Sequence, residues 1–365
     1  MSDAATNRAG KKGPFSGGPL AGFKNYFETF KWNEHSTGLG FLLLFILATI
    51  VGWPRFLYPP ANLMNIIRMQ SYTGIIALGM TFIIISGGID LSVGSMMAFA
   101  GGITIFFLNR FLGNSVWAVA LAIVFCLILG VVCGFLNGFL ITKGRIAPFI
   151  TTLGTMAIFR SLILHFSKAA NIESANPYYQ NFGPGHFLSF PYPALQTAAD
   201  TGGSRFVWLF QPIFIPIWIF LILALVFHLL LNNTRFGRYV CAVGANEQVA
   251  RYSAINVQII KLIPYCLTGF TVAVSSLLWS SRINGIQPSQ VGSGYELDAI
   301  AAVVIGGTSM SGGKGSIVGT VMGAIMLGII NNMLVLAGVS SFLQQAARGL
   351  VIIAAVLLQY NSNKK

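Results

Sequence analysis

The sequence predicts an all-α fold: a polytopic helical membrane protein with about ten transmembrane helices. Three observations carry this. Asp, Glu, Lys and Arg make up only 8% of 365 residues, whereas soluble domains carry roughly a quarter charged residues. Hydrophobic residues make up 55%, too many for one core whose surface must meet water, and too many for a disordered chain. The apolar residues also fall in long continuous runs, not in the short alternating strands of an outer-membrane barrel.

Residues 1–37 are expected to form a cytoplasmic N-terminal segment. They lack the apolar stretch of a secretory signal peptide. Phe23, Tyr26, Phe27 and Phe30 recur at i, i+3, i+4, i+7 with Lys24, Glu28 and Lys31 between them, the pattern of a short helix lying on the membrane surface. A transmembrane domain follows over 38–360, with a cytoplasmic tail at 361–365. A span needs about 20 apolar residues. Ten candidates are 38–53, 70–86, 91–108, 116–141, 147–166, 212–231, 261–281, 296–309, 316–338 and 345–360. The second, third and eighth are short or weak.

The net charge of +13 would suggest a nucleic-acid partner in a soluble protein. Here the basic residues sit mainly between apolar runs, so they orient the chain in a membrane and point to no nucleic acid. With both termini in the cytoplasm, the inner segments hold 14 basic residues and the outer ones six, with Arg160 and Arg348 inside spans. Trp53, Trp117, Trp208, Trp218 and Trp279 fall near outer ends, as an interfacial belt requires.

Two connections are long. The outer one, 167–211, is rich in Pro, Gly, Tyr and Phe and reads as an ordered cap or re-entrant loop. The inner one, 232–260, is polar with helical patterning. Glycines recur at four-residue spacing, with Gly130, Gly134 and Gly138 on the fourth span and Gly315, Gly319 and Gly323 opening the ninth. Such stripes let helix backbones approach closely. Two inner hairpins echo one another: GGIDLSVGS from Gly87 to Ser95, and GGTSMSGGKGS from Gly306 to Ser316. Both put Gly-Gly at the exit of one span and Gly-Ser at the entry of the next.

Tests for covalent chemistry fail. Cys126, Cys133, Cys241 and Cys266 form no CxxC pair and have no histidine at metal-ligand spacing, so they read as packing residues. The Gly-rich hairpin misses the P-loop pattern at Thr308 and Gly315. Gly87-Gly88-Ile89-Asp90 lacks the second intramembrane aspartate that paired-carboxylate proteolysis needs. No GxSxG or HExxH occurs, and His35, His165, His186 and His228 have no evident nucleophile partner. The expectation is a protein that is not an enzyme and carries no cofactor and no metal.

Transport remains. An ion-driven transporter needs carboxylates near the bilayer midplane. Asp90 lies at an inner turn, and Glu296 and Asp298 open the eighth span near its outer boundary. The interior therefore lacks a coupling carboxylate, which favours energy supplied by another subunit. A stand-alone ion-coupled sugar transporter is the alternative.

The inner loop reads RFGRYVCAVGANEQVARYSAIN from Arg235 to Asn256. Together with GMTFIIISGGIDLSVGS at 79–95, FLNGFLITKGRIAPFITTLGT at 135–155 and DAIAAVVIGGTSMSGGKGSIVGT at 298–320, it resembles the membrane subunits of ABC importers for monosaccharides, the ribose/xylose-type permeases. The chain departs from that pattern at Val249, where the family usually has the first of two alanines, and at Ala254, which replaces a frequent glycine.

The resemblance implies an ABC permease bundle in a bacterial inner (plasma) membrane, importing a monosaccharide or, as neighbouring alternatives, nucleosides, inositol or branched-chain amino acids. It implies two ATP-binding cassette ATPase subunits, a second permease copy or paralogue, a periplasmic sugar-binding protein and membrane lipid as partners. On this reading Gly244, Asn246, Glu247 and Arg251 belong to the ATPase-coupling loop. Gly87, Gly88, Asp90, Ser92, Gly306 and Gly307 form inner hairpins that gate the pathway. Asn137, Asn284, Glu296 and Asp298, with Ser92, are pathway candidates, and Arg55, Arg68, Arg110 and Arg282 are candidates for docking an acidic face of the binding protein.

Overall fold

A computed structural model describes residues 32–57, 61–181 and 214–340, together with 343–347, 349, 350 and 353. The expected surface helix around Phe23–Phe30, most of the outer loop beyond residue 181, Arg348 and most of the tenth span lie outside the described residues.

Eleven α-helices follow one another among the described residues. They are α1 (Trp32–Val51), α2 (Ala61–Ile85), α3 (Val93–Phe107), α4 (Val116–Thr142), α5 (Pro148–Ser167), α6 (Ile215–Asn233), α7 (Arg235–Ala245), α8 (Glu247–Tyr252), α9 (Val257–Ile283), α10 (Tyr295–Ile305) and α11 (Ile317–Leu336). Two-residue strands β1 (Ile172–Glu173) and β2 (Gly285–Ile286) pair antiparallel, Ile172 opposite Ile286.

The helix starts follow local chemistry. Ser115, Thr234, Asn246, Asn256 and Ser316 each accept a hydrogen bond from a backbone N–H three residues on, which caps α4, α7, α8, α9 and α11. Pro148 and Pro216 open α5 and α6, where a missing N–H costs nothing.

Among the described residues, seven helices are long and apolar enough to cross a membrane: α2, α3 with its π-helical extension to Leu112, α4, α5, α6, α9 and α11. Three of the ten expected spans fall short of that. The apolar part of α1 is the shorter run Gly38–Val51. The tenth lies mostly outside the described residues. The eighth, expected over 296–309, is α10 with 11 residues, about 16 Å of helix against a hydrocarbon core of about 30 Å. It stops because Gly307 turns into the left-handed region at φ 86°. In the other direction, α2 begins at Ala61, well before the expected residue 70. Asn62, Asn65, Arg68 and Gln70 make that first stretch look too polar for a span, yet it is helical.

Helix α2 is the axis of the bundle, with 78% of its apolar window buried, against 28% for α5. Its buried residues Tyr72, Ile75, Ile76, Met80, Phe82 and Ile83 form the centre of the main core. Helix α9 packs most extensively on α4 and also on α2 and α3. Small residues make the α4–α9 contact possible: a Cβ on Gly130 would overlap the Gly269 carbonyl, and one on Gly134 the Tyr265 carbonyl. The second stripe acts likewise, with Gly319 against Gly306 and Gly323 against Ala302 joining α11 to α10. Large apolar side chains on the outer faces of α4, α5 and α6, such as Leu121, Ile128, Ile150 and Leu225, are exposed, as a lipid-facing surface requires.

The helix ends expected to face outward are pinned by polar bonds. Tyr179 and Ser280 share a hydrogen bond of 2.6 Å between their hydroxyls, and Ser281 Oγ donates to the Tyr179 carbonyl at 2.5 Å. Arg160, within α5, donates to the carbonyls of Pro288 (2.5 Å) and Val291 (3.0 Å). A cation in a span is costly unless it finds such partners.

Candidate functional site

One end of the bundle, the one expected to face inward, brings three loops together. The first hairpin, 86–92, follows α2; the second, 306–316, follows α10; and α7 and α8 make up the inner loop. Helix α7 turns Gly237, Val240 and Val243 inward and charged residues outward. At its end Gly244 meets the Ile85 carbonyl oxygen and the Gly313 backbone nitrogen so closely that a Cβ would overlap both. Gly313 N–H donates to that same Ile85 carbonyl at 2.8 Å. Gly312 and Gly313 hold φ near 80°, a region open to glycine at little cost. The inner loop thus bears on the end of α2 and on the second hairpin at one backbone junction.

The two hairpins share an exit geometry. Gly87 N–H donates to Ile84 and Gly88 N–H to Ile83; likewise Gly307 N–H donates to Val304 and Thr308 N–H to Val303. Gly87 and Gly307 hold φ of 83° and 86°. Both helices therefore end in the same left-handed glycine cap. The structural match sets Gly87 on Gly307 and Gly88 on Thr308, one residue away from the match of the Gly-Gly pairs in the sequence.

On α8, Asn246 caps the helix by accepting from Val249 N–H at 3.0 Å. Glu247 is bridged to Arg251 at 3.1 Å and to Lys261 of α9 at 2.5 Å. The Lys261 hydrogen bond holds the Glu247 carboxyl below the usual carboxylate range, helped by the charges of Lys261 and Arg251 and opposed by partial burial. Val249 and Tyr252 are 58% and 87% exposed, so α8 presents an apolar and aromatic surface beside its charges.

Asp90 and Ser92 of the first hairpin meet Asn137, distant in the chain, in one fully buried cluster. Asp90 Oδ1 accepts from Ser92 N–H (2.8 Å) and Ser92 Oγ–H (2.7 Å). Asn137 Nδ2 donates to Ser92 Oγ at 2.8 Å and lies 3.4 Å from Asp90 Oδ2. Burial pushes the Asp90 carboxyl above its usual range, against the pull of these bonds. In this conformation Ser92 and Asn137 line no open passage. Sequence reasoning set Asp90 apart as a turn residue; only the packing of α4 against the first hairpin joins it to Asn137.

The other candidates are dispersed. Arg68 of α2 and Arg282 of α9 are neighbours at the outer end; Arg68 donates to Asn65 Oδ1 at 2.8 Å and lies 4.1 Å from the Phe214 ring centre, and Arg282 lies 5.8 Å from that of Trp279. Arg55 and Arg110 are exposed and sit elsewhere, after α1 and after α3. Asn284 closes α9 in the left-handed region and donates to the Ser174 carbonyl at 3.2 Å, a tie to the outer loop. Glu296 and Asp298 occupy the first turn of α10, partly buried. Sequence reasoning missed Ile85, Gly312, Gly313 and the bridging role of Lys261. The Gly-Gly pair at 312 and 313 was the one visible signal.

Beside α8 a cavity of about 830 Å³ opens among the first hairpin, the α4–α5 connection and the start of α9; Gly88, Arg145, Arg251, Lys261 and Tyr265 are among its walls. Among the described residues, no group of three or more His, Cys, Asp or Glu side chains is placed to hold a metal ion.

A bundle of spans with an apolar exposed surface, tied by its inner loop to two matched hairpins, defines a polytopic membrane protein. The chain belongs to the family described as branched-chain amino acid transport system / permease component, whose model matches residues 62–356. Among its curated relatives, the ribose import permease protein RbsC of Bacillus subtilis is 42% identical over 324 residues, 88% of this chain and 90% of that protein. The ribose import permease protein RbsC of Escherichia coli K12 is 37% identical over 348 residues, 94% of this chain and 97% of that protein. The xylose transport system permease protein XylH of the same strain is 32% identical over 342 residues, 83% and 86% of the two chains. No solved structure matches.

Proposed function

We propose that this chain is the membrane-spanning permease subunit of an ATP-driven, binding-protein-dependent monosaccharide importer. The permease family match over residues 62–356 and the near full-length likeness to ribose and xylose permeases support this reading. Permease subunits of the family are transport components, not enzymes. Ribose and xylose are the solutes named by its relatives.

The observation that carries the mechanism is the junction of Gly244 with Ile85 and Gly313. Helix α8, with Glu247 and Arg251 charged and Val249 and Tyr252 exposed, is the grip for an ATPase subunit. A push on α8 travels through α7 to the ends of α2 and the second hairpin without passing through flexible side chains. Closure of two ATPase subunits would thus move both hairpins together and alternate access to a pathway formed with a second permease copy. Bistable packing, not covalent chemistry, is the working part.

The finer reading is a bacterial inner-membrane protein with both termini cytoplasmic and ten spans over residues 38–360, the extra three being the helix at 38–51, the short α10 and 345–360. Arg68 and Arg282, with Arg55 and Arg110, face a periplasmic sugar-binding protein. Asn284, Glu296 and Asp298 border the outer mouth. The test is uptake of labelled ribose and xylose into proteoliposomes holding this chain with its ATPase and binding protein. Uptake that needs ATP and both partners supports the reading. Uptake driven by an ion gradient without the ATPase, or of branched-chain amino acids alone, overturns it.

A further inference from the structure

We propose that the inner cavity beside α8 is a binding site for the phosphate headgroup of an anionic phospholipid of the cytoplasmic leaflet. The leaflet follows from the orientation proposed above; the site itself follows from the cavity. Its wall carries three basic side chains, Arg145, Arg251 and Lys261, against one acidic, Glu247. Glu247 is engaged by Arg251 and Lys261, whereas Arg145 makes no side-chain hydrogen bond or ion pair among the described residues. Arg145 is also held at φ 55°, a conformation that a side chain adopts at a cost of roughly 1–2 kcal/mol. A cation with no protein partner among the described residues thus stands at the rim of a cavity whose net charge favours an anion.

The position selects lipid over a soluble anion. The rim is the connection between α4 and α5, both long enough to cross the membrane, so it lies at the level where headgroups sit. Next to Arg145, Ile146, Phe149 and Ile150 are 39%, 57% and 63% exposed, an apolar flank on which acyl chains can lie. The phosphate would meet Arg145, and Thr142 and Gln258 in the same wall would hydrogen-bond a polyol headgroup. A lipid seated there would touch both the α4–α5 connection and α8, stiffening the base on which the inner loop rests.

The test uses the full chain reconstituted in an equal mixture of phosphatidylethanolamine and phosphatidylglycerol, extracted in mild detergent, with retained lipid counted by native mass spectrometry. Wild type is expected to retain phosphatidylglycerol in preference to phosphatidylethanolamine. Arg145→Gln should lower that retention by about fivefold, the effect of one basic group near a charged membrane surface, and Arg145→Lys should restore most of it. Lys143→Gln, an equal charge change at an exposed position outside the cavity wall, should leave it unchanged. Melting temperatures equal to wild type exclude misfolding as the cause. Undiminished retention in Arg145→Gln, an equal loss in Lys143→Gln, or displacement of the lipid by millimolar inorganic phosphate would each overturn the proposal. The readout needs no ATPase, sugar or binding protein, so its failure is distinct from a failure of the transport reading.

Discussion

Gly244 meets the carbonyl oxygen of Ile85 backbone to backbone, with no room for a methyl group between them. Glycine at this position is therefore a requirement of the contact between the inner loop and α2. Replacing it with valine forces the two apart at a cost of about 1–3 kcal/mol. Since about 1.4 kcal/mol is a factor of ten, ATP-dependent uptake by Gly244→Val should fall by about tenfold or more. Membrane insertion, measured by the level of folded protein in the membrane fraction, should persist.

The bridge from Glu247 to Lys261 joins α8 to α9. Glu247→Lys places two cations together and should uncouple ATP hydrolysis from uptake while the chain still folds; Glu247→Lys with Lys261→Glu should recover part of the coupling. The Glu247 carboxyl is held below its ordinary value of 4.5. Its contribution is thus fully present above that value and is lost as pH falls through the lower, folded value. Hydrogen exchange of residues 247–256 should be flat from neutral pH down to the ordinary glutamate range and rise only below it, once corrected for the intrinsic exchange rate.

Ala254 sits at φ 60° just after α8, where Ile255 N–H donates to the Ala250 carbonyl. That is the left-handed position of a helix C-terminal cap, which glycine fills with least strain. Ala254→Gly should raise stability by about 1 kcal/mol, read as a higher melting temperature in detergent. A decrease would contradict the strain argument.

Two glycines on neighbouring helices should respond in opposite ways. A Cβ on Gly134 of α4 would overlap the Tyr265 carbonyl, whereas one on Gly154 of α5 would meet nothing within 4 Å. Gly134→Ala should destabilise by about 1–3 kcal/mol. Gly154→Ala should be neutral or stabilising by up to about 1 kcal/mol, from helix propensity alone. Thermal unfolding of the two variants in the same detergent decides it.

Asp90 is buried with hydrogen bonds and, among the described residues, no cation beside it. Asp90→Asn keeps the acceptor for Ser92 and removes the burden of a buried charge, so its stability should equal or exceed wild type near neutral pH. Asp90→Ala strands buried groups on Ser92 and Asn137 at a cost of about 1–3 kcal/mol. Because burial raises the Asp90 carboxyl above its ordinary 3.8, protonation favours the folded state. Wild type should therefore gain stability as pH falls through that raised value, a gain absent in Asp90→Asn.

Most of the bundle was legible in the chain. The 116–141 and 147–166 runs match α4 and α5 to within a residue at each end, because continuous apolar stretches long enough to span leave helix as the sole option in lipid. The two glycine stripes announced close packing, and the α4–α9 and α10–α11 contacts are where they act. Legibility failed where polar residues lie on a helix that other helices bury. The first turns of α2 were hidden for that reason, since Asn62 pairs with Asn332 of α11 across the bundle at 3.0–3.2 Å.

By itself, the sequence determined that the chain lives in a membrane and which family its motifs resemble. Each of these depends on composition and local order, which a linear string records completely. Only the tertiary structure decided that Gly244, Ile85 and Gly313 form one junction, that Asp90 and Asn137 share a buried cluster, and that Arg145 faces the same cavity as Lys261. Those pairings arise from the crossing of helices distant in sequence, and the free energy of a contact is set by what packs on its far side.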